Sequence, residues 1–436
     1  MERGVVNMDR LILAMNGLEI GVLERGGSGA MRFAYYDQWL SRPGARPISL
    51  SLPLSSRPFR GERAYNFFDN LLPDSDAIRA RIQARYRTPT RQPFDLLTEI
   101  GRDCIGAIQL YPEGSSVGSV HEITAEPLDD DDVARLLDGY TQASPGEQEQ
   151  AEFRISLAGA QEKTALLFYQ GRWHRPLGST PTSHILKLPI GRIEHSGIDL
   201  TDSIENEWIC SQILRAFGLP IANSQIANFE GRKVLVVERF DRRWSSDGSW
   251  LMRLPQEDFC QALGVAPARK YESDGGPGIR DGMELLLGSQ QPIEDRETFF
   301  RSQIIFWLLA AIDGHAKNFS LFLEPAGAYR MTPLYDVLSV HPLMANGTMA
   351  KQKASMAMAW EGKNRHYRWE KIQQRHILNT ASRAGLSHKH ATSMMEDIRE
   401  RVPAVIDHVD KILPSGFPPH IVDPIIDGLK RQARCL

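Results

Sequence analysis

Two short apolar runs, Leu11-Ile-Leu-Ala-Met15 and Leu18-Glu-Ile-Gly-Val-Leu23, flank Asn16-Gly17 near the start of the chain. An Asn-Gly pair between such runs predicts a tight β-hairpin, because a two-residue I′ turn needs φ > 0 at both central positions. Alternation over Pro47-Ile-Ser-Leu-Ser-Leu-Pro-Leu54 predicts another strand, and 64–72 together with the segments beyond it predict helices. Residues 1–125 therefore read as a small N-terminal α/β subdomain. The acidic run Asp129 to Asp132 precedes Val-Ala-Arg-Leu-Leu and complements a helix N-terminus, so 126–152 reads as a helix and a polar linker. From Phe153 the pattern changes to strands at 155–157, 164–169, 184–188 and 234–240. Between the last two, 203–217 repeats apolar positions at helical spacing and ends at Gly218. Residues 153–255 thus form a strand-rich lobe. Past Pro255 helices dominate to residue 436, broken by the Gly-rich 272–278 and by one hairpin-like insertion, 319–335. The expectation is an α+β fold of two lobes, the second all-α, with a cleft where ligands commonly bind.

Composition narrows the class without deciding it. A chain of 436 residues can build two or three domains, and 42% hydrophobic with 24% charged residues is ordinary for a soluble protein. The formal net charge of −3 gives no broad electrostatic reason for nucleic-acid binding. Cys104, Cys210, Cys260 and Cys435 are scattered and form no CxxC pair, which fits reduced thiols better than a disulfide framework or a zinc site. No apolar run approaches a membrane span, and Met1 to Asn7 lack a signal-peptide core and read as a dispensable lead. The expected location is the cytoplasm.

Three segments carry chemistry. Ser156-Leu-Ala158-Gly159-Ala160-Gln161-Glu162-Lys163 lies between two strands, where small residues let backbone N–H groups approach phosphate oxygens and Lys163 adds charge. It is not a Walker loop, since Glu162 stands where the glycine before the lysine belongs; an ordinary hairpin is the plain alternative. Lys187 lies mid-strand among apolar residues, where an ammonium needs a partner: phosphates, or Glu205 or Glu207 of the following helix. An exposed, snorkelling lysine is the alternative there. Asp313-Gly-His315-Ala-Lys317-Asn318 has the Asp-to-Asn spacing of kinase catalytic loops, although the histidine stands on the other side of the aspartate from its usual place. Asp313 would accept a hydrogen bond from an attacking hydroxyl and Asn318 would give Mg²⁺ a neutral oxygen; a capping turn is the alternative. The hairpin after it returns the chain to Tyr335-Asp336, placing a second Mg²⁺-ligating carboxylate beside Asn318 where protein kinases carry a DFG aspartate. His315 reads as structural rather than as a metal ligand. Each element is ambiguous alone. Their order (phosphate loop, strand lysine, helix carboxylate, Asp-x4-Asn, hairpin, Asp) is explained by phosphoryl transfer from ATP with Mg²⁺.

The segments 153–167, 237–244, 253–258, 270–278 and 313–318, with 66–74 and 91–97, resemble the HipA family over nearly the whole chain. The resemblance implies a serine/threonine protein kinase toxin with a kinase-like fold. It implies glutamyl-tRNA synthetase as substrate, in its tRNA-bound form, with growth arrest and persistence as the outcome. Its partner would be a HipB-like helix-turn-helix antitoxin dimer, which contacts operator DNA and represses with it. Carried over by motif, Asp313 is the catalytic base, and Asn318 and Asp336 are metal ligands. ATP contacts fall to Ala158, Gly159, Ala160, Gln161, Glu162, Lys163, Lys187, His315, Asn318, Tyr335 and Asp336, with Glu238, Arg239 and Phe240 as an adenine-side hinge. Ser156 matches an autophosphorylated serine whose phosphate, adding about −1.5 to −2 charge, inactivates. Segments 344–360 and 376–390 look less standard, which argues against DNA contact by this subunit beyond weak phosphate contacts from Arg375, Arg383 and Lys389. Two other readings stand beside this one: a small-molecule kinase of aminoglycoside-phosphotransferase type, and a non-catalytic co-repressor, against which the intact Asp313, Asn318 and Asp336 argue.

Overall fold

The structure, a computed structural model, describes residues 8–141, 157, 161–193 and 197–436. Ser156, Ala158, Gly159 and Ala160, and the expected strand at 155–157 apart from Leu157, lie outside the described residues.

Asp9–Met15 and Leu18–Arg25 form the expected hairpin, with Asn16 at φ 45° and Gly17 at φ 81°. They sit within an antiparallel sheet ordered Phe59–Arg60, Met31–Tyr35, Leu18–Arg25, Asp9–Met15, Ile108–Pro112. Helices Glu62–Asp69 and Pro93–Ile100 pack Phe67, Phe68, Leu96 and Leu97 against Leu13, Leu23 and Phe33.

The alternating stretch 47–54 is not a strand; it forms bends. Its apolar residues Ile48 and Leu52 are buried, but side chains rather than a neighbouring strand satisfy its backbone. Ile48 N donates to Tyr35 Oη (2.7 Å), Tyr35 Oη to Leu52 O (2.6 Å) and Leu50 N to Glu257 Oε1 (2.8 Å). With those groups paired, no ladder is needed.

Glu257 is fully buried where this subdomain meets the rest of the chain, its Oε2 2.5 Å from Ser49 Oγ. Burial pushes its carboxyl up to about 8, against an ordinary value of 4.5. Folding therefore takes up a proton between those two values, and stability falls as pH rises from roughly 4.5 to 8, then levels. Glu257→Gln keeps an acceptor for Leu50 N. We expect it to flatten that decline, its stability relative to the parent protein growing from pH 5 to pH 8. Urea unfolding at each pH measures this, and a variant whose stability difference does not change with pH would refute it.

The second sheet is antiparallel throughout: Ser224–Phe229, Arg232–Glu238, His184–Lys187, Lys163–Tyr169, Arg172–Pro176 and Ala125–Leu128. Helix Asp130–Thr141 begins at the acidic run, with Asp132 N donating to Asp129 Oδ1 (2.8 Å). It sets Val133 and Leu137 against Leu166, Leu186 and Val234 in the core of this lobe. Helix Ser203–Ala216, followed by Gly218 at φ 84°, packs into the core of the helical lobe together with Leu235 of the sheet. It is the joint between the lobes.

Helices Pro292–Leu308, Gln374–Arg383, His388–Ile412 and Pro419–Ala433 build the second lobe. The expected hairpin appears as Ser320–Leu323 and Tyr329–Met331, with Gln256–Asp258 added as a third strand. A second hairpin, Ser355–Glu361 with Arg365–Arg368, was not expected. Its first strand is buried on both faces after Ser355, so it shows no alternation to read. Among the described residues no helix is long and apolar enough to cross a membrane.

Candidate active site

The loop after helix Pro292–Leu308 is shaped by close packing. Ala310 adopts φ 48°, and a Cβ at Gly314 would meet the Phe306 ring at 2.6 Å, so only glycine lets the chain pass that ring. Ala316–Asn318 then forms one tight turn. Lys317 points away from the cleft into the N-terminal subdomain. Its Nζ donates to Asn70 Oδ1 (2.8 Å) and lies 3.3 Å from Asp258 Oδ2 and 3.6 Å from Asp74 Oδ1. Two charged neighbours and an amide thus hold the loop from behind.

With Lys317 as the anchor, Asp313 and Asn318 face the hairpin's end. Asn318 Nδ2 donates to Asp336 O (3.2 Å) and lies 3.5 Å from Asp336 Oδ2. Asp336 has φ 62°, a left-handed conformation that aspartate tolerates and that often marks functional sites. Tyr335 fixes the approach, donating to Lys317 O (2.8 Å) with Ser320 Oγ 2.6 Å away.

Across the cleft, buried Lys187 donates to Glu207 Oε1 (2.5 Å) and to Asp336 Oδ1 (2.8 Å). Of the two helix carboxylates, Glu205 instead pairs with Lys233. Burial opposes the Lys187 charge, but Asp336 and Glu207 outweigh it and hold its pKa above the ordinary value. Burial likewise opposes ionisation of Asp336, yet Lys187 and then Lys163 hold its carboxyl well below the usual range. Lys163 is the direct register partner of Lys187 on the adjacent strand. Burial and the neighbouring Lys187 lower its pKa. Two cations side by side on one sheet face suit a polyanion.

Asp313 is pushed up by burial and pulled back by a hydrogen bond from Tyr271 Oη (2.5 Å). Burial, with Lys270 nearby, pushes His315 down to about 3, so its imidazole is neutral near pH 7. His315 Nδ1 is a buried atom with no hydrogen-bond partner among the described residues.

Among the described residues buried Asn318 Oδ1 also has no hydrogen-bond partner, while its own amide nitrogen is spent on Asp336. A hard oxygen left over beside an ionised carboxylate fits Mg²⁺. Among the described residues no group of three or more His, Cys, Asp or Glu side chains could hold a metal ion.

The other expected contacts divide. Gln161 Nε2 donates to Leu188 O (2.6 Å), and Glu162 pairs with Arg81 of the N-terminal subdomain. Glu238 is exposed at the end of its strand, and Phe240 packs its ring near Tyr335 and Phe322 at 5.7 and 5.8 Å. The Arg239 side chain is fully buried between Asp103 and Asp241, and its main-chain N–H donates to Ser183 O (2.9 Å). Tyr271 is the site residue that sequence reasoning missed: it lies within the motif 270–278, yet nothing in that pattern assigns it a role. A tyrosine between Lys270 and Glu272, in a Gly-rich turn without apolar neighbours, was the available signal.

The family models for the HipA-like C-terminal domain and the HipA N-terminal domain match residues 155–406 and 11–111. A protein of Sinorhizobium fredii named "Putative kinase Y4mE" is 37% identical over 328 residues, covering 74% of this chain and 76% of that one. The serine/threonine-protein kinase toxin HipA of Shewanella oneidensis is 30% identical over 306 residues, 67% of each chain. The solved complex of Shewanella oneidensis HipA, HipB and operator DNA aligns with a TM-score of 0.79 and 24% identity over 97% of both chains, which shows the fold. This chain therefore has the α+β kinase-like fold, belongs to the HipA family and is a kinase.

Proposed function

We propose that this kinase is a toxin that uses ATP and Mg²⁺ to phosphorylate a serine or threonine hydroxyl of glutamyl-tRNA synthetase in its tRNA-bound form. The observation that carries the chemistry is Lys187 bridging Glu207 and Asp336 opposite the loop that holds Asp313 and Asn318. Asp313 accepts the proton of the acceptor hydroxyl as its oxygen bonds the γ-phosphorus. The bond from that phosphorus to the bridging oxygen breaks, and ADP leaves. Lys187 and Lys163 hold the phosphates, with His315 as a neutral neighbour. Asn318 Oδ1 and Asp336 would hold Mg²⁺, which supplies charge neutralisation on the phosphates. Glu238, Arg239 and Phe240 border the adenine through main chain and ring. Phosphorylation of Ser156 would place negative charge beside the phosphate-binding segment and switch the enzyme off. A HipB-like helix-turn-helix dimer neutralises the toxin and carries it to operator DNA, a partner set the Shewanella oneidensis relative displays in its solved complex. The substrate rests on the family resemblance alone.

Incubating the protein with labelled ATP, Mg²⁺, glutamyl-tRNA synthetase and tRNA tests this, with Asp313→Asn beside it. We expect label on the synthetase that vanishes with the variant. Label on another protein alone would overturn the substrate, and label only on a small molecule would overturn protein kinase activity.

A further inference from the structure

Tyr271 Oη donates to Asp313 Oδ1 at 2.5 Å, one of the shortest contacts at the site. The tyrosine is rigidly mounted. Its carbonyl accepts from Asp274 N (3.1 Å) and Gly276 N (3.0 Å), and a Cβ at Gly276 would fall 1.9 Å from Arg269 O. On one side Lys270 is tied to Asp74 at 2.8 Å, and its carbonyl accepts from Ala316 N of the catalytic loop (3.3 Å). On the other, buried Glu272 accepts from Ala359 N at 2.6 Å. The ring packs edge-on against His315 at 5.0 Å.

The torsion that sets the two oxygens of an aspartate is broad and roughly two-fold. A base needs one of those oxygens aimed at the acceptor proton. We propose that Tyr271 is a positioning residue for Asp313: by occupying Oδ1 it turns Oδ2 toward the acceptor hydroxyl. This inference rests on the reading of Asp313 as the base. Burial and then Asp313 raise the phenol's pKa, so the phenol remains a donor and does not compete as a nucleophile.

Tyr271→Phe and Tyr271→3-fluorotyrosine test it, using Mg²⁺-ATP hydrolysis with water as acceptor so that the outcome does not depend on the protein substrate. A hydrogen bond to a charged group of the usual strength corresponds to a loss of roughly 10- to 100-fold, expected in kcat for the Phe variant with KM for ATP unchanged. The acidic limb of its pH profile should move to higher pH, because the carboxylate has lost a donor. The fluorinated phenol is more acidic and a stronger donor, so its limb should move to lower pH with kcat retained. An unchanged kcat in Tyr271→Phe overturns the proposal. So does a lowered kcat with an unmoved limb, which would mark a merely structural role. Should the Phe variant not fold, an unmoved limb in the fluorinated protein decides against the proposal by itself. An active Asp313→Asn would refute the base assignment separately.

Discussion

Asp313→Asn is expected to lower phosphoryl transfer by about 10²- to 10⁴-fold, the usual contribution of a positioned general base. The substitution is nearly isosteric, and an asparagine Oδ1 still accepts from Tyr271, so the loop geometry is kept. Lys187, Asn318 and Asp336 are untouched, and nucleotide affinity should stay within a few-fold. Transfer of labelled phosphate and equilibrium binding of ATP together check both halves. Intact transfer with weakened binding would reverse the assignment, making Asp313 a ligand contact rather than a base. The parent protein carries the matching pH signature. Burial raises the Asp313 carboxyl above its ordinary 3.8, and the base must be ionised to work. Activity should fall as pH drops through that raised value, at a less acidic point than an exposed aspartate would give.

Much of this site could be read from the sequence because its chemistry is local. The Asp313 to Asn318 spacing, the lysine in an apolar strand and the aspartate closing a hairpin are each patterns of a few residues. The structure brings Lys187, Asn318 and Asp336 within hydrogen-bond range. The choice between Glu205 and Glu207 was not legible. Both lie on the same first turns of a helix, and only the placement of Lys233 on the adjoining strand decides which is free for Lys187. Lys317 was silent for the same reason, since its partners Asn70 and Asp74 lie some 240 residues earlier. In the fold, the Asn16-Gly17 hairpin was legible because two backbone angles demand those residues. The stretch 47–54 was misread because its apolar-serine alternation mimics a strand although the serines are buried as well, and Glu257, which removes the need for a ladder, is distant in sequence.

Asp103 belongs with those distant residues, and its loss should cost more stability than the loss of any other single polar side chain named in this fold. Its Oδ1 accepts from Arg242 (2.9 Å) and Arg253 (3.0 Å), and its Oδ2 from Thr182 Oγ1 (2.7 Å) and Arg239 (3.2 Å). Asp241 is the cluster's other carboxylate, accepting from Arg239 (2.8 Å) and Gly106 N (2.7 Å). All five charged side chains are almost wholly buried. Asp103→Asn would leave Arg239 and Arg242 on the single carboxylate of Asp241 and take from Arg253 the carboxylate it is paired with, all away from water. Removing one partner of a buried pair costs about 3–5 kcal/mol, far more than the pair contributes relative to apolar packing. An exposed pair provides the control: Asp199→Asn, which frees Arg192, should leave stability close to that of the parent. Burial opposes the Asp103 charge, but Arg242, Arg253 and Arg239 hold its carboxyl well below 3.8. Its contribution is therefore complete above that value and is lost as pH falls further, so the gap between parent and variant should narrow only in acid. Since Asp103 and Gly106 belong to the N-terminal subdomain, and Arg239 follows the strand that ends at Glu238, the variant should also loosen the seam beside the nucleotide cleft. Hydrogen exchange at 101–106 and 239–253 would report that loosening alongside urea unfolding. A variant within about 1 kcal/mol of the parent would mean that the remaining charges relax or admit water, and that this cluster does not hold the seam.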